Sequence, residues 1–132
     1  MKFLLVDDND LGGQAVAFAL EAYGHQVTIE RSGCRVVEQL LAGRYDVIIL
    51  DVSLGDGDGI SVASAIRERW HSIPIIFTTG HETYPGLAAA LLDSKTRMLR
   101  KPYDISALLS LAHELLRARE DWQRTAAEQR LH

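Results

Sequence analysis

The stretch KFLLVDD, residues 2–8, places two adjacent carboxylates directly after a run of apolar residues. An apolar run of this length is typical of a strand that is buried in a protein core. Two unit charges about 4 Å apart repel each other by roughly 4 kcal/mol at an effective dielectric constant near 20. The pair Asp7 and Asp8 therefore predicts a compensating positive group at the end of this strand.

Four further apolar runs follow, QVTIE, DVIIL, IPIIF and TRML, and stretches with helical spacing separate them. Nearly continuous runs of Val, Ile and Leu are typical of parallel strands that are buried on both faces. Alternation of strands and helices predicts parallel βαβ units with helices on both faces. The sequence therefore predicts an α/β three-layer sandwich with five strands and five helices. The fourth helix is predicted from Leu87, Leu91 and Leu92, which share one helical face.

The composition is that of a one-domain globular protein of 132 residues with a net charge of -4, which argues against general nucleic-acid binding. The only cysteine, Cys34, cannot form an internal disulfide, so we expect a cytoplasmic, reducing compartment and a small buried thiol. No segment has the length of a membrane span. We expect residues 1–118 to form the domain and residues 119–132 to form a polar helical extension or tail.

Asp51 ends the third apolar run, as Asp7 and Asp8 end the first. In open α/β sheets, ligands bind outside the carboxyl ends of the strands. If the first and third strands are neighbours, the three carboxylates meet in one crevice and favour a hard cation such as Mg²⁺. A solvated acid at a strand end is the ordinary alternative for any one of these residues, but it does not account for the set.

A hydroxyl and an ammonium are expected at the same edge of the sheet. The fourth run ends in IIFTT, which places Thr79 there, and Lys101 follows the fifth run directly before Pro102. By itself, a lysine in a loop is an ordinary surface residue. Together with a carboxylate nucleophile and a divalent cation, these groups suit phosphoryl transfer to aspartate because they neutralise the phosphoryl oxygens.

The combined motifs resemble the receiver domains of response regulators in two-component signalling. The matching segments are the Asp7–Asp8 pair, LDVSLGDGDG around Asp51, Thr79, and Lys101–Pro102. The resemblance covers residues 1–118. It implies a flavodoxin-like fold with strand order 2-1-3-4-5 and five flanking helices. It also implies Mg²⁺-dependent phosphorylation and dephosphorylation that the domain itself catalyses, with a histidine kinase or phosphotransfer protein as the phosphoryl donor.

By this similarity, Asp51 would be the phosphoacceptor. Asp8 and Asp51 would bind Mg²⁺ directly, joined by the backbone carbonyl of Ser53, and Asp7 would act largely through water. The resemblance therefore implies that one cluster of acids serves both the metal and the phosphoryl group.

The same similarity assigns Thr79 and Lys101 to the phosphoryl oxygens. His81 lies two residues past Thr79 and therefore beside the site. For His81 two interpretations stay open, a solvated loop histidine and a group that influences water attack on the phosphoryl group.

The chain departs from the family's usual pattern at four positions. Gly55 stands where proline is usual, and Ser94 and Lys95 replace a usual Gly-Ala pair. Met98 replaces an aromatic ring that swings inward on activation; because Met is flexible, we expect phosphorylation to be weakly coupled to output. These departures keep a second hypothesis open, a non-phosphorylated receiver-like module that binds protein partners constitutively.

The family's usual output surface is the face of the fourth helix, fifth strand and fifth helix. In this chain that face would carry Lys95, Arg97 and Tyr103, a mildly basic surface suited to an acidic downstream protein. We expect no direct contact with nucleic acid or membrane. A homodimer stays open.

Overall fold

Five parallel strands form the central sheet of the protein. The computed structural model describes residues 1–80 and 84–130. The strands are β1 (Lys2–Val6), β2 (Gln26–Glu30), β3 (Val47–Asp51), β4 (Ile75–Thr79) and β5 (Thr96–Arg100). Their order in the sheet is β2-β1-β3-β4-β5, and every neighbouring pair is parallel. The predicted fold class and strand order are therefore confirmed.

The described residues form five helices, as predicted, of which four connect the strands and the fifth follows the last strand. They are α1 (Asp10–Ala22), α2 (Val36–Ala42), α3 (Gly59–Arg69), α4 (Leu87–Ala90) and α5 (Ile105–Arg130). A 3-10 turn, Gly33–Arg35, precedes α2, and a small antiparallel hairpin of Ser53–Leu54 and Gly57–Asp58 precedes α3. Side-chain caps fix two helix starts near the carboxyl edge of the sheet, because Asn9 accepts a hydrogen bond from Gly12 N–H and Asp58 from Ser61 N–H.

The core lies on both faces of the sheet, which explains why the central strands are apolar throughout. All five residues of β3 are buried. Alternate residues of each strand point to opposite faces, so Ile48 and Leu50 join one apolar cluster with α3, while Val47 and Ile49 join the other with α1 and α5. The two clusters together fix the position of every strand end that carries a candidate site residue.

The fourth helix is shorter than its apolar pattern predicts. It ends at Ala90, and Leu92 is 86% exposed, so the prediction that Leu92 shares a packed face with Leu87 is wrong. The chain turns instead at Asp93, whose carboxylate accepts a hydrogen bond from Lys95 N–H at 2.9 Å and pairs with Arg67 on α3. This local bonding competes with another helical turn.

Cys34 is exposed, which corrects the expectation of a buried thiol. The residue lies in the 3-10 turn before α2, outside the core, and the first buried position of this segment is Val36. The turn is held by its backbone N–H groups, so packing of the cysteine side chain is not required.

The last helix continues well past the core. Its buried residues are Leu108, Ala112 and Leu115, whereas the helix itself extends to Arg130. The division of the chain at residue 118 stays a prediction. Within the described part of the chain, no helix is both long and apolar enough to cross a membrane.

Candidate functional site

Three carboxylates converge at the carboxyl edge of the sheet because β1 and β3 are neighbours with Val6 opposite Leu50. Oxygen atoms of Asp7, Asp8 and Asp51 all lie within 4.8 Å of one another. Asp7 and Asp51 are buried, whereas Asp8 is exposed. At such a separation each pair of charges repels by roughly 3 kcal/mol at an effective dielectric constant near 20. The cluster therefore needs positive charge.

Backbone hydrogen bonds orient the two buried carboxylates in the same way. The Oδ1 atom of Asp7 accepts a hydrogen bond from Asn9 N–H at 2.9 Å, and Oδ1 of Asp51 accepts one from Ser53 N–H at 3.0 Å. Each acid thus binds the backbone two residues further along, as is common for Asp in turns. This arrangement leaves both Oδ2 atoms free to face a cation.

Lys101 supplies the only ammonium that faces these oxygens within the described residues. Its Nζ atom donates to Oδ2 of Asp51 at 2.8 Å and lies 3.5 Å from Oδ2 of Asp7. The backbone N–H of Lys101 donates to the carbonyl of Thr79 at 2.7 Å, which ties the loop after β5 to the end of β4. One cation therefore pairs with two of the three clustered carboxylates, and a net charge of about two negative units remains.

Burial and the neighbouring charges shift the pKa values of Asp51 and Lys101. Burial raises the pKa of Asp51 above its ordinary value, and the charge of Asp7 adds to it, while Lys101 and the Ser53 N–H lower it by less. Burial alone would lower the pKa of Lys101, but the hydrogen bond and charge of Asp51, together with Asp7, outweigh burial and raise it. The ammonium is held charged by two acids, whereas the acids share one ammonium.

Thr79 contributes a hydroxyl that has no partner in residues 1–80 and 84–130. The side chain is 3% exposed and its Oγ1 atom makes no hydrogen bond there. A buried hydroxyl without a partner costs about 1–3 kcal/mol. The preceding residue, Thr78, is the register partner of Asp51, so Thr79 ends the strand beside the acid cluster. Such a donor can bind an anionic oxygen added to the site.

The loop after β3 departs from the family's usual proline, and the structure gives a reason for glycine. A Cβ atom at Gly55 would lie 3.0 Å from Oδ2 of Asp8, closer than real Cβ contacts normally are. Glycine at this position therefore leaves room for the Asp8 carboxylate. Ser53, whose carbonyl is the predicted third metal ligand, is exposed in the same loop.

Asp56 holds this loop, a role that the sequence analysis missed. Its carboxylate accepts hydrogen bonds from Ser32 Oγ at 2.6 Å and from Gly33 N–H at 3.2 Å. These bonds and one from Cys34 N–H lower the pKa of Asp56 far below its ordinary value. The partners are 22 to 24 residues away in sequence. No local motif could have revealed them.

The donor set of the cluster fits a hard divalent cation. Mg²⁺ in proteins is usually bound by one or two carboxylates, waters and phosphate oxygens. The exposed Asp8 gives such an ion access from solvent, and the buried Asp51 lies within reach of the same position.

The predicted output face is only mildly basic in the structure. Lys95 lies 3.8 Å from a carboxylate oxygen of Asp93, and its Nζ lies 5.7 Å from the ring centroid of Trp122 on α5. Arg97 donates to the backbone carbonyl of Ser94 at 2.9 Å. Part of this positive charge is therefore compensated within the chain. His81 lies outside the described residues.

Two other residues of the predicted output region are half-buried. Met98 packs against the apolar cluster of α3 and has Phe77 as its register partner on β4. Tyr103 packs near Lys101, and burial raises the pKa of its hydroxyl. The structure therefore brings the acids, Thr79 and Lys101 together and leaves Met98 one strand away from them.

Comparison with known proteins identifies the class that this sheet and site belong to. Residues 3–113 match the response regulator receiver domain, so the chain belongs to that family. The swarming motility regulation protein RssB of Serratia marcescens is 33% identical over 110 residues, which are 83% of this chain and 50% of that protein. The transcriptional regulatory protein PcoR of Escherichia coli is 31% identical over 116 residues, 88% of this chain and 51% of that protein. The chain thus spans about half the length of these curated relatives.

Solved structures agree with this assignment. The chemotaxis protein CheY4 of Vibrio cholerae is 28% identical with a TM-score of 0.77, covering 87% of this chain and 98% of that one. A two-component response regulator from Clostridium difficile is 25% identical with a TM-score of 0.79, covering 89% of this chain and 96% of that one. Receiver domains of this family interact with histidine kinases and downstream effector domains, and they normally bind Mg²⁺ at an acidic pocket.

Proposed function

We propose that this receiver accepts a phosphoryl group on Asp51 and passes the signal on through protein contacts. The observation that carries the proposal is the charge imbalance at the carboxyl edge. Oxygens of Asp7, Asp8 and Asp51 converge there. Among the described residues, Lys101 is the one cation that pairs with any of these acids, through Asp7 and Asp51. A site that only stabilised the fold would be better balanced, because unpaired buried charge is costly.

In the proposed step, an oxygen of the Asp51 carboxylate forms a bond to phosphorus. The bond from phosphorus to the donor's imidazole nitrogen breaks, and the imidazole leaves with the electron pair. The phosphoryl group brings further negative oxygens into the site, so donors are needed. Lys101 already lies 2.8 Å from the nucleophile, and the Thr79 hydroxyl has no partner among the residues that the structure describes. These two groups would neutralise the product, and its hydrolysis by water would return Asp51 to its starting state.

A magnesium ion in this site would be held by Asp8, Asp51 and the backbone carbonyl of Ser53, with Asp7 acting through water. When bound, Mg²⁺ supplies positive charge that offsets the repulsion between the carboxylates and the phosphoryl oxygens. The residues fit this role because their oxygens already converge within 4.8 Å.

The phosphoryl donor would be a histidine kinase or a phosphotransfer protein that contacts α1. This helix begins directly after the acid pair and exposes two large apolar side chains, Leu11 at 81% and Phe18 at 76%. Exposed apolar residues beside a site suit a protein donor. We expect Phe18→Ser to slow phosphorylation by the protein donor while leaving phosphorylation by acetyl phosphate unchanged. Equal slowing with both donors would contradict this assignment.

The outgoing signal would leave through α4, β5 and the adjoining part of α5. Lys95 and Arg97 give this face a mildly basic character, which suits an acidic downstream protein or a second copy of the chain. We further propose that residues 1–118 are the signalling unit and that residues 119–132 form a polar helical extension. The exposed thiol of Cys34 supports a reducing, cytoplasmic setting.

The proposal is tested by incubating the protein with Mg²⁺ and acetyl phosphate and reading the intact mass. We expect the wild type to gain one phosphoryl group and Asp51→Asn to gain none. Asp10→Asn, which removes an exposed acid of α1 that pairs with Arg31, is the matched control and should be phosphorylated normally. A folded wild type that gains no phosphoryl group would instead support the constitutive interaction module.

A further inference from the structure

A cavity of about 460 Å³ lies at the amino-terminal edge of the sheet, at the end opposite the acid cluster. It is bounded by the end of α2, the loop into β3, the turn after α3 and the outer part of α5. Its lining residues are Leu40, Leu41, Ala42, Gly43, Arg44, Tyr45, Asp46, Trp70, Ile73 and Arg119. The volume falls in the range of about 300–1,000 Å³ that is typical of small-molecule sites.

The charges around this cavity favour an anion. Arg44 and Arg119 line it, and Asp46 is the one acid among the described lining residues. The Oδ2 atom of Asp46 already accepts a hydrogen bond from Lys2 N–H at 2.7 Å. The Nε atom of Arg119 is buried and has no hydrogen-bond partner in the described part of the chain. Because guanidinium groups bind phosphate and carboxylate well, this unused donor points to an anionic ligand.

Arg67, the neighbouring arginine on α3, has no donor left to bind such an anion. Arg67 is bound to Asp93 at 2.6 Å, and its remaining donors are bound to backbone carbonyls and Thr96. It also lies close enough to Arg119 for their charges to repel. Arg67 is paired with Asp93, whereas no ion pair within residues 1–80 and 84–130 includes Arg119. The charge of Arg119 is therefore not compensated by the described acids of this region.

Two aromatic residues also line the cavity. Tyr45 and Trp70 are half-buried and pack against the core beside the buried side chains of Leu40 and Ile73. An aromatic ring at the wall of a small-molecule site can stack on a planar group. A nucleobase is such a group, and every base has a face that can stack on an aromatic ring. The ammonium of Lys2 lies over one face of the Tyr45 ring, 4.9 Å from its centroid, so that face is not available for stacking.

We propose that this cavity binds a nucleoside monophosphate, with the phosphate at Arg119 and Arg44 and the base against Trp70 and Tyr45. The site is separate from the phosphoacceptor site, since the cavity meets the start of β3 and Asp51 ends the same strand. Binding there would connect the outer part of α5 with α2 and the turn after α3. Nucleotide binding in this cavity requires no phosphorylation of Asp51.

The test uses the indole N–H signals in ¹H–¹⁵N spectra, because the chain has two tryptophans and one of them lines the cavity. Trp122→Phe assigns the Trp70 signal. AMP and GMP are titrated separately, and at least one should shift Trp70 in a saturable manner with a dissociation constant of about 1 mM or lower. Adenosine, guanosine and inorganic phosphate should each bind about tenfold or more weakly, because each supplies only half of the contacts.

Variants separate the cavity from nonspecific charge. Arg119→Gln should weaken nucleotide binding about tenfold or more, and Arg44→Gln, at an exposed position, should weaken it without affecting the fold. Arg117→Gln removes an exposed cation of the same helix and should bind as the wild type does, as should Asp51→Asn. An unmoved Trp70 signal with both nucleotides, wild-type binding by both arginine variants, or equal binding of inorganic phosphate would overturn the proposal.

Discussion

Lys101 and Arg67 each bring one cation to partly buried carboxylates, but at opposite edges of the sheet and with different balance. Arg67 faces one acid, Asp93, and donates to five acceptors, namely Asp93, Thr96 and the carbonyls of Trp70, Ile73 and Lys95. Lys101 donates to Asp7 and Asp51, two of the three acids that converge in its cluster. The first cluster is compensated within the chain, and the second is not.

The difference separates a structural cluster from a reactive one. The Arg67 cluster joins the end of α3 to the turns before β4 and β5, which are otherwise connected only through the sheet. The Lys101 cluster retains repulsion between Asp7, Asp8 and Asp51. Next to it, the Thr79 hydroxyl has no partner in the described part of the chain. A bound cation or phosphoryl group would remove that repulsion. We therefore expect opposite responses when charges are deleted from the two clusters.

The largest expected effect is on stability at the compensated cluster. Arg67→Ala should lower the free energy of unfolding by about 3 kcal/mol or more, because it removes five hydrogen bonds and the nearer of the two cations that pair with the partly buried Asp93. Urea unfolding at neutral pH measures the effect. Arg69→Ala, at an exposed position of the same helix, should change stability by less than about 0.5 kcal/mol. Similar losses in both variants would mean that the cluster contributes little.

Mg²⁺ should stabilise the folded protein only through the Lys101 cluster, that is, through Asp7, Asp8 and Asp51. A ligand that binds the folded state alone stabilises it by about 2.7 kcal/mol at a hundred times its dissociation constant. We expect this gain in the wild type and in Asp93→Asn, but not in Asp8→Asn, which lacks one of the few ligand oxygens. Thermal unfolding with Mg²⁺ and with a chelator measures it. A full gain in Asp8→Asn would place the metal site elsewhere.

Acid should weaken the compensated cluster specifically. Burial alone would raise the pKa of Asp93, but the Lys95 N–H and the charge of Arg67 outweigh it, so the folded-state pKa is lowered. The stabilisation from Asp93 is therefore complete above its unfolded pKa of about 3.9 and is lost as pH falls through the folded-state pKa. Urea unfolding should give wild type a free energy of unfolding about 1.5–3 kcal/mol higher than that of Asp93→Asn at pH 7. This difference should become smaller toward pH 3. If the difference in free energy of unfolding between the two proteins became larger as the pH fell, the lowered pKa of Asp93 would be contradicted.

Coupling between the phosphoacceptor site and the output face should be weak. Met98 is the register partner of Phe77 and packs against the same apolar cluster. Because its side chain is flexible, we expect it to pack equally well before and after phosphorylation and so to discriminate poorly between the two states. Met98→Tyr should raise a downstream partner's preference for the phosphorylated form by about tenfold, as measured by affinities for both forms. A wild type that already discriminates a hundredfold would contradict weak coupling.

The smallest expected effect on stability comes from removing one of the like charges that repel each other in the Lys101 cluster. In Mg²⁺-free buffer, Asp8→Asn should raise the free energy of unfolding by about 0.5 kcal/mol, because it removes a like charge from an exposed position of the cluster. Asp93→Asn should lower it under the same conditions. If both variants lost stability, removing a charge would have the same effect in both clusters, and the acids of the Lys101 cluster would not repel each other as proposed.

The sequence was sufficient to predict the fold because its strands carry an unambiguous pattern. The continuous apolar run of β3 predicted a strand buried on both faces, and all five of its residues are buried. Convergence of Asp7 and Asp51 required one further fact, the adjacency of β1 and β3, which the resemblance implied and the register confirms. The roles of the individual site residues stay predictions until they are measured.

What the sequence could not predict depends on contacts between distant segments. Arg67 meets Asp93 across 26 residues, and this pair helps to end α4 before the apolar pattern does. Asp56 meets Ser32 across 24 residues and holds the turn in which Cys34 is exposed. Local periodicity carries no information about such pairs, so the length of α4 and the exposure of Cys34 were predicted wrongly.

Chemical trapping of the phosphorylated residue tests the central claim most directly. After reaction with acetyl phosphate and Mg²⁺, borohydride converts an aspartyl phosphate to homoserine, and the tryptic peptide of residues 45–67 can then be sequenced by mass spectrometry. This peptide contains Asp46, Asp51, Asp56 and Asp58, so it provides its own controls. The account predicts homoserine at position 51 and unchanged aspartate at the other three. Homoserine at Asp56 or Asp58, or in the peptide that carries Asp8, would contradict it.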